Sequence, residues 1–92
     1  MTVDQVDFLD DVAWDAEREA VTVTAVLNAQ GRPRHVRCVI GREALDALVR
    51  APGDLPPLRV FRDFEATLAK AAARRAHPET PEIVLGRRDV RT

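Results

Sequence analysis

The sequence predicts an α+β domain: a small antiparallel sheet of three to four strands with two helices packed on one face, in the order β-β-β-α-α-β. Three observations predict it. Residues 20–40 contain two runs rich in β-branched residues that alternate with period two around a turn-forming segment. Residues 42–76 then change to a helical period, and Glu82-Ile-Val-Leu-Gly86 returns to apolar, β-branched content. Ninety-two residues are enough for one domain with one modest core, and 46% hydrophobic with 32% charged residues is a balance that folds.

The elements follow in order. Val6 to Leu9 is a short apolar-biased run that reads as a first strand, and Asp10 to Asp15 has the Asp-rich chemistry of a turn. Ala20 to Leu27 is the clearest strand: alternation puts Val21, Val23, Ala25 and Leu27 on one face, with Thr22 and Thr24 on the other. Asn28 to Pro33 reads as a hairpin loop longer than the minimal two residues, because Asn28 and Gly31 tolerate positive φ and Pro33 cannot donate to a ladder. In the second strand Val36, Cys38 and Ile40 share the core face, while His35, Arg37 and Val39 share the other.

Arg42 to Arg50 places Ala44, Leu45, Leu48 and Val49 at helical spacing, with Glu43 near the start and Arg50 near the end, both favourable to the helix dipole. Pro52-Gly53 stops it. Asp54-Leu-Pro-Pro57 supplies the next start, since proline is tolerated in a first helical turn. One longer helix is then expected from Leu58 to about Ala76, with Leu58, Phe61, Phe64, Leu68, Ala71 and Ala72 as its core stripe. Prolines 78 and 81 end it, Glu82–Gly86 is the last strand, and residues 1–5 and 87–92 are expected to fray.

Composition excludes several function classes. No stretch approaches the roughly 20 apolar residues of a membrane span, and the acidic start lacks the basic-then-apolar order of a signal peptide, so the expected address is the cytoplasm. The single cysteine, Cys38, cannot form an internal disulfide. His35-Val-Arg-Cys38 has a ligand-like spacing, but zinc needs four ligands or three and water, His77 has no cysteine beside it, and alternation points His35 and Cys38 to opposite faces. A Cys–His nucleophile fails for the same reason. The four glycines are scattered, so there is no phosphate-cradling loop. No catalytic, cofactor-binding or metal-binding residue is assigned, no cofactor is expected, and the chain is expected not to be an enzyme.

Charge is unevenly spread about a net −1. Residues 1–17 carry six acids and no base, whereas residues 18–76 carry eleven bases against six acids. Asp4, Asp7, Asp10, Asp11 and Asp15 therefore form an acidic segment suited to solvating the terminus, lying over the chain's own arginines, or contacting a partner. Arg32, Arg34, His35, Arg37 and Arg42 are the densest basic stretch and a candidate interaction surface, to which Arg74-Arg75 and Arg87-Arg88 add two pairs. Trp14, the sole tryptophan, reads as a lid on the core.

Trp14-Asp-Ala-Glu-Arg18 running into Ala20-Val-Thr-Val-Thr-Ala25, then Val36-Arg-Cys-Val-Ile40 followed by Arg42-Glu-Ala-Leu45, resembles the bacterial family called domain of unknown function 1488. The resemblance covers most of the chain and extends to a short N-terminal strand, a Trp-Asp turn, a hairpin, two helices, the second with a leading Phe (Phe61 here), and a last apolar segment. Two features depart from it: Gly41 stands where members often have a capping Ser, and the Asn28–Pro33 segment reads longer than the family's short turn. What the resemblance implies is a small α+β fold of uncharacterised function, with no catalytic residues to carry over. The sequence thus leads to a non-enzymatic accessory or protein-interaction module, monomeric or a weak homodimer, with no membrane association. The alternative is a nucleic-acid-binding accessory protein using the Arg32 to Arg42 face, which the net charge and the lack of tyrosine disfavour.

Overall fold

The computed structural model describes residues 3–49, 55–77 and 79–90. The expected helix end at Arg50, the stop at Pro52-Gly53, the start signal at Asp54, and Pro78 lie outside the described residues, as do positions 1, 2, 91 and 92 of the ends expected to fray. The elements are β1 (Gln5–Phe8), β2 (Ala13–Asp15), β3 (Ala20–Ala29), β4 (Arg32–Gly41), α1 (Arg42–Asp46), α2 (Pro57–Asp63), α3 (Glu65–Arg75), β5 (Glu82–Leu85) and α4 (Arg87–Val90).

The architecture is α+β, and β3 with β4 is its spine. They pair antiparallel over ten residues each, from Ala20↔Gly41 to Ala29↔Arg32. β1 and β2 both pair antiparallel with the far edge of β3, in tandem, so the segment read as an Asp-rich turn contains a second short strand. β5 lies beside β4 and runs parallel to it, which makes the sheet mixed where an antiparallel one was expected. The cause is the connection: β4 returns to β5 through α1, α2 and α3, and a helical crossover of that length delivers the next strand in the same direction.

Strand alternation places the core as the sequence indicates. Val21, Val23, Ala25 and Leu27 on β3, Val36, Cys38 and Ile40 on β4, and Ile83 and Leu85 on β5 are buried on one face. Ala44 and Leu45 of α1, Val60 and Phe61 of α2, and Leu68, Ala71 and Ala72 of α3 complete that core, so the helices lie on one side of the sheet. Phe8 from β1 packs on Phe61 with ring centroids 5.2 Å apart at 57°, within the range of a favourable tilted aromatic pair. The late alanines of α3 let that helix approach closely.

Four local expectations are revised. The hairpin loop is two residues, Gln30 and Gly31, with φ of 55° and 75°, a type I′ geometry whose twist matches the flanking strands. Pro33 is accommodated because Ala29↔Arg32 closes the turn, so Asn28↔Pro33 falls at a non-hydrogen-bonded pair and the missing N–H faces away from β3. The Asn28 carbonyl correspondingly points the other way and accepts the Asp4 N–H at 2.8 Å. The long helix is two: Phe64 (φ −115°, ψ 23°) separates α2 from α3, and Leu58 is 40% exposed instead of part of the core stripe. Finally, Arg87–Val90 forms a helical turn with Val90 buried, and Val3 is buried at the other end, so neither segment is a loose tail over those residues.

Candidate functional site

The structure divides the basic stretch between two faces. Arg34 pairs with Leu27 and Arg32 with Ala29, which puts both on the helical side of the sheet at the hairpin tip. His35 opposite Val26 and Arg37 opposite Thr24 lie on the helix-free face, and Arg42 opens α1, its backbone N–H donating to the Glu19 carbonyl at 3.0 Å. These five residues do not form one surface. The outer edge of β4 beyond β5 is itself blunted, because Pro33 offers no donor there and arginines flank it.

The acidic segment is largely absorbed into the fold. An Asp4 carboxylate oxygen accepts the Gln30 N–H at 3.0 Å and so ties β1 to the hairpin turn. Asp15 accepts the N–H groups of Glu17 and Arg18, holding the turn into β3. Between β1 and β2 the Thr24 carbonyl still accepts the Leu9 N–H at 3.0 Å, while Asp11 accepts both the Thr24 N–H at 2.9 Å and the Thr24 hydroxyl. Those bonds, aided by the Arg37 charge, hold the Asp11 carboxyl below its usual range. Asp7 projects from the helix-free face and accepts from the Gln5 side chain, and Asp10 lines a shallow cleft with Leu9, Phe61 and Arg62.

The helix-free face is continuous across the sheet. Half-buried Thr22, Thr24, Val26 and Asn28 run down its centre, flanked by exposed His35 and Arg37 on β4, Val84 (46% exposed) on β5, and Gln5 and Asp7 on β1. Arg18 reaches over one end to Glu82 at 3.6 Å, and Ala20 and Val39 are covered beneath. Acids and bases alternate across the face, and the His35 imidazole is its one ring among the described residues. Trp14 pairs with Val21 on the opposite, helical side, half-buried against the core, in the lid position the sequence suggests.

Cys38 lies wholly inside the core, and burial pushes its thiol up to about 12. A thiol held that neutral is no nucleophile at ordinary pH. His35 is on the other face. Among the described residues no group of three or more His, Cys, Asp and Glu side chains is placed to hold a metal.

One cluster escapes the sequence reading. The pairs Arg74-Arg75 and Arg87-Arg88 come together where α4 packs on α3 and α1: Arg75, Arg87 and Arg88 line a cleft of about 550 Å³ with Glu43, Val84, Gly86 and Asp89, and Arg74 donates to the Asp89 carbonyl. The pairs themselves are visible in the sequence. Their meeting depends on α4, which is too short and too polar to register as a helix.

A mixed five-stranded sheet with one open face and one helix-covered face defines the class: an open-faced α+β domain. The crystal structure of a protein of unknown function from the domain of unknown function 1488 family, from Shewanella loihica PV-4, has the same fold, with a TM-score of 0.61 and 22% sequence identity over 89% of this chain and 92% of that one. The chain thus resembles that family in three dimensions as it does in its motifs. No family model matches the sequence, and no curated protein matches it either.

Proposed function

We propose that this chain is a non-enzymatic accessory module that acts by protein contact, and that the helix-free face of the sheet is its contact surface. The observation that carries the reading is the one-sided distribution of helices: β3, β4 and β5 present Thr22, Thr24, Val26, His35, Arg37 and Val84 outward, with no helix of the described residues over them. A face that mixes exposed apolar, hydroxyl and balanced charged groups suits a protein partner, because interfaces are about as apolar as the surface around them and draw register from complementary charges. Strand addition at the β4 edge is a poorer mode, since Pro33 interrupts the donors there.

The same geometry counsels against nucleic acid. Arg32 and Arg34 are on the other side from Arg37, Arg37 lies in the field of Asp11, and Asp7 and Glu82 share its face, so no phosphate-tracking stripe forms, and among the described residues no Phe or Trp belongs to that face. The unreactive Cys38 and its separation from His35 support a non-enzymatic role.

The test is affinity capture from a nuclease-treated lysate of the source organism, using the wild-type chain and the double variant Val84→Arg, His35→Glu. A protein retained after nuclease by the wild type, and lost by a variant that melts at the same temperature, is the expected result. Equal retention by the variant, or loss of all captured protein on nuclease treatment, overturns the proposal.

A further inference from the structure

We propose that the cleft between the end of α3 and α4 is a binding site for a single phosphate group, either free or as a monoester on a small molecule; this site meets the sheet face at Val84 but does not rest on the contact reading. Arg74 and Arg75 close α3, Arg87 and Arg88 open α4, and Asp89 locks the two together. One Asp89 carboxylate oxygen accepts the Gly86 N–H at 2.7 Å, the other lies 3.8 Å from Arg75 Nη1, and the Asp89 carbonyl accepts from Arg74 Nη2 at 3.3 Å. The aspartate is therefore fully engaged inside the fold. Arg87 and Arg88 are exposed, and among the described residues no carboxylate stands within ion-pair distance of either.

Three guanidinium groups, those of Arg75, Arg87 and Arg88, line the cleft with two carboxylates, Asp89 and Glu43, in a chain whose overall charge is −1. Like charges held this close repel one another, and a dianion placed among them removes that repulsion. Guanidinium is also the side chain whose planar fork matches phosphate oxygens two at a time. Glu43 lines this cleft, and Glu43, Asp46 and Arg87 together line a neighbouring one, so carboxylates bound the basic groups on that side. That confinement fits one phosphate group and not a run of them along a nucleic-acid backbone. The unpaired Arg87 and Arg88 supply the free donors, while Arg75, already anchored, fixes the inner wall.

The experiment is a titration of the isotopically labelled chain at constant ionic strength, following backbone amides by NMR, with inorganic phosphate and adenosine monophosphate as probes and chloride as control. Saturable shifts at Gly86 and Asp89 with either probe, absent with chloride, are expected. The Arg87→Ala, Arg88→Ala double variant should weaken binding by at least about tenfold, as loss of charge-assisted hydrogen bonds implies. Arg87→Lys, Arg88→Lys, which keeps charge without the fork, should lose part of it, and Arg32→Ala, Arg34→Ala none. Tighter binding of the nucleotide assigns an ester site; equal or tighter binding of inorganic phosphate assigns a free-anion site. Shifts that fail to saturate, that chloride reproduces, or that survive in the alanine double variant overturn the proposal.

Discussion

Asp11 does with a side chain what a strand would do with its backbone. β1 ends at Phe8 and β2 begins at Ala13; between them the Thr24 carbonyl on β3 keeps a backbone donor in Leu9, and the Asp11 carboxylate takes the Thr24 N–H and hydroxyl. Its pKa is lowered, first by the side-chain bond from Thr24, relative to 3.8. A carboxyl whose folded pKa lies below its unfolded one contributes stability that is complete above the unfolded value and is lost as pH falls through the folded one. Urea unfolding from pH 7 down to pH 2 should thus show a decline below about pH 4 that is shallower in Asp11→Ala, and that variant should lose about 1 kcal/mol at pH 7. Cys38 carries the opposite shift. Its thiol, raised to about 12 by burial, is neutral in the folded state, so the native chain should resist a thiol reagent at pH 8 and react fully in guanidinium. Its burial is legible in the sequence from alternation alone, because Val36, Cys38 and Ile40 fall two apart. The role of Asp11 is not, since a carboxylate reaching thirteen residues along the chain leaves no local pattern.

At the level of elements, the hairpin and the ends of helices show where local chemistry and tertiary packing part company. The two alternating runs are legible because a period of two has no helical counterpart over ten residues. The loop between them is misread from the positions of Asn28 and Pro33, whereas the turn takes Gln30 and Gly31 in the left-handed region. Gln30 is a poor occupant of that position and asparagine a good one, so Gln30→Asn should stabilise the hairpin by about 0.5 kcal/mol. Gly31→Ala should cost about 1 kcal/mol although no atom lies within 4 Å of the added methyl, because the strain is in the backbone at φ +75°. Thermal melts of the two variants should therefore move in opposite directions. The direction of β5 was beyond reach of its own four residues: Glu82-Ile-Val-Leu85 is equally good in either sense, and the helical crossover decides. The break at Phe64 has neither glycine nor proline to announce it.

For the whole molecule, the consequence of a one-sided helical layer is that a single core carries the stability while the other face is left to the surface. Among the described residues Phe61 is the largest fully buried side chain, 2% exposed, and it joins α2 to β1 through Phe8. The open-face site is legible in the sequence only as alternation; that its basic residues divide between faces follows from the same period of two, with Arg32 and Arg34 in phase with Val36, and His35 and Arg37 out of phase. The proposed phosphate cleft required the fold, because it joins residues of α1, α3 and α4 with Val84 of β5. This division sets apart two classes of substitution. Phe61→Ala should cost about 3–5 kcal/mol, a large part of the roughly 5–15 kcal/mol available to a domain of this size. At about 4–8 °C per kcal/mol for a domain of 60 to 100 residues, the midpoint should fall by at least about 12 °C. Val84→Arg, on the uncovered face, should move it by no more than about 0.5 kcal/mol. Guanidinium titrations of both variants measure this directly: equal losses would mean that the face is covered in solution and belongs to a second core, whereas the expected disparity leaves that face free for a partner.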